Sequence, residues 1–190
     1  MLFSTLLTAV IGTLPVLGQG AFDKSHKMAY LKGTWSISTK NVPVGPSFVN
    51  PAENKFFFPK DNNNTDSRTY SFTEDGFYEY CAYVAPSVGS DNCISALFIY
   101  QHGTYDFLSN GSMTLSPFEK DGRFQMGNSC KGSNSAVPYN YTELMVNWSI
   151  DIESAAPPVL KLHEANWEQP QNLTLAHNPP QMLSTRPLTK

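Results

Sequence analysis

The chain has 190 residues, of which 41% are hydrophobic, 13% aromatic and only 15% charged. An average soluble domain carries roughly 25% charged residues, so few charges with many Phe and Tyr argue against disorder, a coiled coil or a nucleic-acid surface. A net charge of −3 leaves no basic face to neutralise phosphates, and the length fits one domain.

Residues 2–17 form an apolar stretch interrupted only by small or hydroxylated residues and Pro15, ending in Leu17-Gly18-Gln19-Gly20-Ala21. This pattern predicts a secretory signal peptide over 1–20, although its start carries no Lys or Arg, and leaves 21–190 as a single domain. No later apolar run reaches the ~18 residues of a membrane helix. After it, Leu31-Lys32-Gly33-Thr34-Trp35 carries a Gly-x-Trp that resembles the opening motif of lipocalin-like barrels, in which the Trp closes one end.

Period-2 alternation between turn signals predicts strands over 34–38, 69–73, 76–84, 95–100, 104–108, 112–115 and 159–163. The longest alternating run sets Leu144, Val146, Trp148, Ile150 and Ile152 against Met145, Asn147, Ser149 and Asp151. Asp75-Gly76, His102-Gly103, Asn110-Gly111 and Asp121-Gly122 read as tight turns, which makes 95–115 a three-strand meander. Segments 41–64 and 154–158 read as longer loops. The prediction is an all-β fold: an antiparallel closed or partly closed barrel of about eight strands, with a β-sandwich as the alternative. Closure would also remove exposed edges, which a chain this poor in charge needs.

Asn-x-Ser/Thr occurs at Asn63, Asn110, Asn140, Asn147 and Asn172, the candidate N-glycosylation sites. Asn147 is expected on the strand face opposite Val146 and Trp148, and Asn172 opposite Leu173 and Leu175. Three cysteines in an oxidising lumen allow one disulfide and three pairings. Cys81 lies in an alternating aromatic strand, whereas Cys93 and Cys130 lie in Gly/Ser/Asn-rich stretches. Loop cysteines bridge more readily, which favours Cys93–Cys130, worth ~4 kcal/mol by loop entropy, and leaves Cys81 a buried, inert thiol.

The sequence has no CxxC pair, no zinc-like Cys/His spacing, no Gly-x-Ser-x-Gly elbow and no phosphate loop. His26, His102, His163 and His177 share no ligand-like spacing. Glu74, Asp75 and Glu79 lie near one another, but a solvated turn accounts for them better than a catalytic pair. The stripe Phe77, Tyr78, Tyr80 and Tyr83 reads as core packing rather than a sugar platform. No catalytic residue, cofactor or metal site is predicted.

Leu31-Lys32-Gly33-Thr34-Trp35-Ser36, Tyr70-Ser71-Phe72-Thr73-Glu74-Asp75-Gly76-Phe77-Tyr78-Glu79 and Ile99-Tyr100-Gln101-His102-Gly103-Thr104-Tyr105 closely resemble the fungal reversal-of-Tor family. Asn110-Gly111-Ser112 through Asp121-Gly122-Arg123, then Tyr139-Asn140-Tyr141-Thr142-Glu143, continue the resemblance in order, as far as Pro179-Pro180-Gln181-Met182-Leu183-Ser184-Thr185. The resemblance implies a non-enzymatic folding chaperone of the endoplasmic reticulum, linked to β-1,6-glucan synthesis and to protein glycosylation. Its partners would be unfolded or maturing secretory proteins, with no nucleic acid and no metal. The family also has cysteines where this chain has Cys93 and Cys130. Members usually continue into a Ser/Thr-rich stalk and a membrane helix, so the expectation is an anchor beyond Lys190 or a soluble lumenal form.

A chaperone needs accessible apolar surface; Tyr78, Tyr80, Phe107 and similar residues are candidates that the sequence does not separate from core, so no client-binding residue is assigned. The alternative is a lipocalin-like small-ligand carrier, marked by an apolar barrel cavity of ~300–1,000 Å³. A third reading, an enzyme on wall glucan, would need two carboxylates converging in a cleft.

Overall fold

The computed structural model describes residues 30–38, 42–58, 66–131, 136–152 and 156–189. The predicted signal segment, His26 and Asn63 lie outside the described residues. In chain order the strands are β1 (Gly33–Ser36), β2 (Val49–Asn50), β3 (Lys55–Phe56), β4 (Ser67–Phe72), β5 (Phe77–Val88) and β6 (Ile94–Phe107). They continue with β7 (Met113–Pro117), β8 (Arg123–Asn128), β9 (Val137–Pro138), β10 (Glu143–Asp151), β11 (Val159–Glu164) and β12 (Gln171–His177). Among the described residues, helix is confined to one turn, α1 (Gly45–Phe48), and a 3-10 turn at Pro51–Glu53, so none is long and apolar enough to cross a membrane.

Eight strands close a barrel in the order β5-β4-β1-β12-β11-β10-β7-β6, with β6 returning to β5, and every pairing is antiparallel. The barrel is filled. Trp35, Tyr70, Tyr78, Met113, Met145 and Trp148 all point inward with 1% exposure or less. The Gly33-Thr34-Trp35 motif works as a packing unit. The Trp35 Nε1 donates to the Leu31 carbonyl at 2.8 Å, and a side chain on Gly33 would collide with Leu175 at 2.6 Å.

Two sequence expectations fail in instructive ways. His102-Gly103 is not a turn: the two predicted strands on either side of it are one 14-residue strand, β6. Glycine serves close backbone approach as well as turns. At Gly103 the carbonyl of Ser116 lies 2.0 Å from where a Cβ would stand. The run 144–152 does not keep one phase either. A bulge between Met145 and Asn147 shifts the pairing with β11, so Glu143, Met145, Trp148 and Ile150 face inward. Leu144 and Val146, expected inside, are 36% and 46% exposed. One extra residue flips every side chain upstream of it.

The sequence did not predict β8 and β9, and they extend the fold beyond the barrel. The first half of β6 pairs with β8 and the second half with β7, so the sheet forks there. β5, β6, β8 and β9 form a wing that projects past the barrel end. Its outer face is covered by 44–58, where Phe48 and Phe56 pack on Phe98, and Phe58 meets the same ring edge-on at 4.8 Å. A disulfide joins Cys93, just before β6, to Cys130, just after β8. Cys81 is free and buried.

Candidate functional site

Two buried polar systems stand out, and they lie on opposite faces of the β5–β6 pair. On the outer face, strand register aligns Thr34, Ser71, Glu79 and His102 into one row across β1, β4, β5 and β6. The C-terminal segment runs along this row as a strap. Gln181 N–H donates to Thr34 Oγ1 at 2.8 Å, Leu183 N–H to Glu79 at 2.7 Å, and Leu188 and Thr189 N–H to Asp121 at 2.7 and 2.8 Å. Glu79 also accepts from Gly45 N–H at 2.8 Å, so one carboxylate ties α1 and the strap to the barrel. Burial nevertheless pushes its pKa up to about 7. His102 contacts Asp121 at 2.7 Å with both side chains buried. Burial pushes the imidazole down, against the pull of Asp121. Burial alone would raise Asp121, but hydrogen bonds from Thr189, Leu188 and His102 hold it below its ordinary value. This system is structural: every group in it is spent on the strap.

The second system lies at the barrel mouth, beneath the wing. Glu143, the first residue of β10, points inward and accepts from Tyr70 Oη at 2.8 Å and Gln101 Nε2 at 3.2 Å. Gln101 in turn accepts from Tyr141 N–H at 2.7 Å, and Tyr141 Oη donates to Glu164 at 3.0 Å. Asn166 donates to the same Tyr141 hydroxyl. Burial pushes Glu143 up to about 8, and Glu164 is raised in the same direction, also mainly by burial. The two carboxyls line an open cleft of about 330 Å³ walled by Tyr80, Tyr139, Tyr141 and Trp167. Arg68 lies at its rim, 5.6 Å from the Trp167 ring centre.

The cleft runs directly onto the inner face of the wing. Register places Val84, Leu97 and Met126 in one cross-strand row, and Ala82, Ile99, Phe124 and Val137 in the next. Tyr139 continues the face, 6.2 Å from Phe124 and 6.5 Å from Tyr141 between ring centres. Met126 is 69% exposed and Val137 53%. A groove of about 530 Å³ lies beside Leu97 and Met126. This is a contiguous accessible apolar surface ending in a polar, aromatic cleft.

The residues singled out from sequence are distributed elsewhere. Tyr78 and Tyr80 are inside the barrel, and Phe107 packs on Trp148 at 5.2 Å, so a patch drawn from them does not exist as surface. Inward positions of β5 and β6 are needed to fill the barrel. Glu74 and Asp75 are exposed on the turn, with Glu74 paired to Lys32, but Glu79 is buried under the strap rather than solvated. His163 and His177 are separate from His102, and among the described residues no group of His, Cys, Asp and Glu could hold a metal ion. Asn110, Asn140, Asn147 and Asn172 are all exposed. Sequence reasoning passed over Glu143 and Glu164. The signal for Glu164 was present in Leu160-x-Leu162-x-Glu164, whose phase turns all three side chains inward.

The model of the family described as a chaperone for protein folding within the ER of fungi, Rot1, matches residues 31–190. The chain belongs to the Rot1 family. It is 36% identical to Protein ROT1 of Eremothecium gossypii, over 96% of this chain and 69% of that protein. The Saccharomyces cerevisiae protein of the same name is 36% identical, over 82% of this chain and 61% of its own length. That of Candida albicans is 32% identical, over 97% and 72%. The chain therefore spans about two thirds of the Rot1-family proteins it matches. No solved structure matches it.

Proposed function

We propose that this chain is a lumenal holdase of the endoplasmic reticulum, which shields extended apolar segments of unfolded secretory proteins on the inner face of its wing. The carrying observation is the pair of adjacent cross-strand rows in which exposed Met126 and Val137 and half-buried Leu97 run into the barrel mouth, on a barrel whose own interior is filled. A filled barrel counts against the small-ligand carrier, which needs that volume empty. Catalysis on glucan needs one carboxyl kept ionised beside a protonated one. Here both carboxyls are taken up by neutral donors of the fold, Tyr70 and Gln101 on Glu143 and Tyr141 on Glu164, which supports a non-enzymatic role. Processing of 1–20, N-glycosylation at the exposed sequons and any membrane attachment belong to the same secretory reading. Links to β-1,6-glucan synthesis and glycosylation would then act through the clients.

The test is light scattering of a thermally unfolding client, with and without the mature chain and without ATP. Near-stoichiometric chain is expected to suppress aggregation. The double substitution Met126→Asp and Val137→Asp, at exposed sites that leave the core intact, is expected to cut suppression at least fivefold without moving the melting temperature. Undiminished suppression by that variant would rule out the wing face.

A further inference from the structure

The mouth cleft contains more charge chemistry than apolar capture requires. Glu143 and Glu164 are 3% and 4% exposed, and among the described residues neither is ion-paired with a Lys or Arg. Arg68 is close by, yet its guanidinium faces the Trp167 ring. The hydroxyl of Tyr78 is fully buried without a hydrogen-bond partner among the described residues, within electrostatic reach of Glu143 and Tyr139, both cleft residues. Buried carboxyls without a counter-charge favour whatever brings one, and aromatic faces around them add cation–π attraction. The volume suits one long side chain.

We infer that the cleft takes the ammonium or guanidinium group of a client lysine or arginine, while the adjoining wing holds that client's apolar residues. The inference rests on the holdase reading above. It makes the preferred client segment apolar with an embedded basic residue, and charge complementarity identifies that occupant. A saccharide could fill the same aromatic cleft, but a neutral ligand gives no dependence on the charge of the carboxyls.

The groups facing the two carboxyls set the pH dependence. They are Arg68 and Tyr70 from β4, Tyr78 and Tyr80 from β5, and Tyr139 and Tyr141 from the segment before β10. The tyrosines stay neutral, because burial or the neighbouring carboxyls raise their pKa values. Between pH 5.5 and 8.5 the charge that changes in the cleft is carried by the carboxyls, chiefly Glu143. Cation capture should strengthen as pH rises through the raised value of about 8 for Glu143.

The test uses a fluorescein-labelled apolar decapeptide with one central lysine, and its twin with that lysine Nε-acetylated, titrated with the mature chain by fluorescence anisotropy. At pH 8.5 the lysine peptide should bind about tenfold tighter, a gap in the range of one close charge pair. At pH 5.5, where Glu143 has taken up its proton, the ratio should fall severalfold. Glu143→Gln with Glu164→Gln should erase the preference at both pH values while both peptides still bind. Glu164→Gln alone should reduce it, which keeps the test usable where the double variant fails to fold. Equal affinities in the wild-type chain at pH 8.5 would overturn the cation site alone, as would a preference that survives in the variants. Binding of neither peptide, together with no suppression of aggregation, would overturn this inference and the holdase reading beneath it.

Discussion

Replacing Gly103 with alanine is expected to abolish folding of the barrel. Gly103 lies where β6 leaves β8 and takes β7 as its partner, paired with Tyr78 on one side and Pro117 on the other. A Cβ there would stand 2.0 Å from the Ser116 carbonyl oxygen and 2.7 Å from Pro117 Cα. Both are backbone atoms held in a sheet, so no rotamer change relieves the overlap. β7 must move off β6, and β7 carries Met113 and Leu115, which are fully buried in the core. Losing that seam ranks with the largest single-residue effects, roughly 4 kcal/mol or more. Gly76 is the control: its φ is +90°, but the nearest atom to a Cβ is 3.8 Å away, so Gly76→Ala should cost only about 1 kcal/mol of backbone strain. Urea unfolding of the two variants checks the contrast. A Gly103→Ala midpoint close to wild type would show that the β6–β7 approach is not tight.

The same glycine shows where the sequence could be read and where it could not. Alternation in 69–84 and 159–163, with turns at Asp75-Gly76 and Asn110-Gly111, was enough to give an all-β barrel, because each strand buries one face and the period follows from that. His102-Gly103 has the composition of a turn, and a local reading cannot distinguish a glycine that bends the chain from one that lets a neighbouring strand approach. The bulge in β10 is likewise decided by its partner strand, not by Leu144 or Val146. The wing face stayed hidden because β8 reverses the usual rule: Arg123 and Gln125 are buried under 44–58, while Phe124 and Met126 lie on the open inner face. Arg123 can be buried because Asn54, Pro51, Lys120 and Gly122 accept from its guanidinium, and those partners are remote in sequence or lie on the turn before it. The row Thr34, Ser71, Glu79 and His102 is ordinary residue by residue, and becomes a strap seat only once four strands fall into register.

The protein should be most stable in mildly acidic solution and lose stability as the pH rises toward 9. Glu143 and Glu79 are buried with pKa values raised to about 8 and about 7, whereas in the unfolded chain both titrate near 4.3. Between those values the folded state binds more protons than the unfolded state, so the slope of stability with pH is negative. The contribution is fully present below the unfolded value and is lost through the folded one. From pH 5.5 to 9 the two groups together remove on the order of 5 kcal/mol, at 1.36 kcal/mol per pKa unit. In a domain of this size that is a fall in melting temperature of about 10–20 °C. The acid limb runs the other way. His102 is held neutral by burial and Asp121 ionised by its hydrogen bonds, so protonating either at low pH disfavours the fold. The two limbs together place the optimum on the acid side of neutrality. Glu143→Gln removes one ionisation and keeps an amide oxygen to accept from Tyr70, while losing the second acceptor that faces Gln101, so it should lower the overall stability but flatten the alkaline limb by more than half. Melting curves by circular dichroism every half pH unit from 4.5 to 9 would decide the matter. A flat profile above pH 6 would mean that the buried carboxylates are stabilised by their hydrogen bonds more than burial costs them. Loss of the strap should accompany the alkaline limb only if Glu79, which anchors Leu183 and Gly45, exchanges those bonds for water on ionising. Proteolysis at the C-terminal segment at pH 9 against pH 6 separates that local release from global loosening.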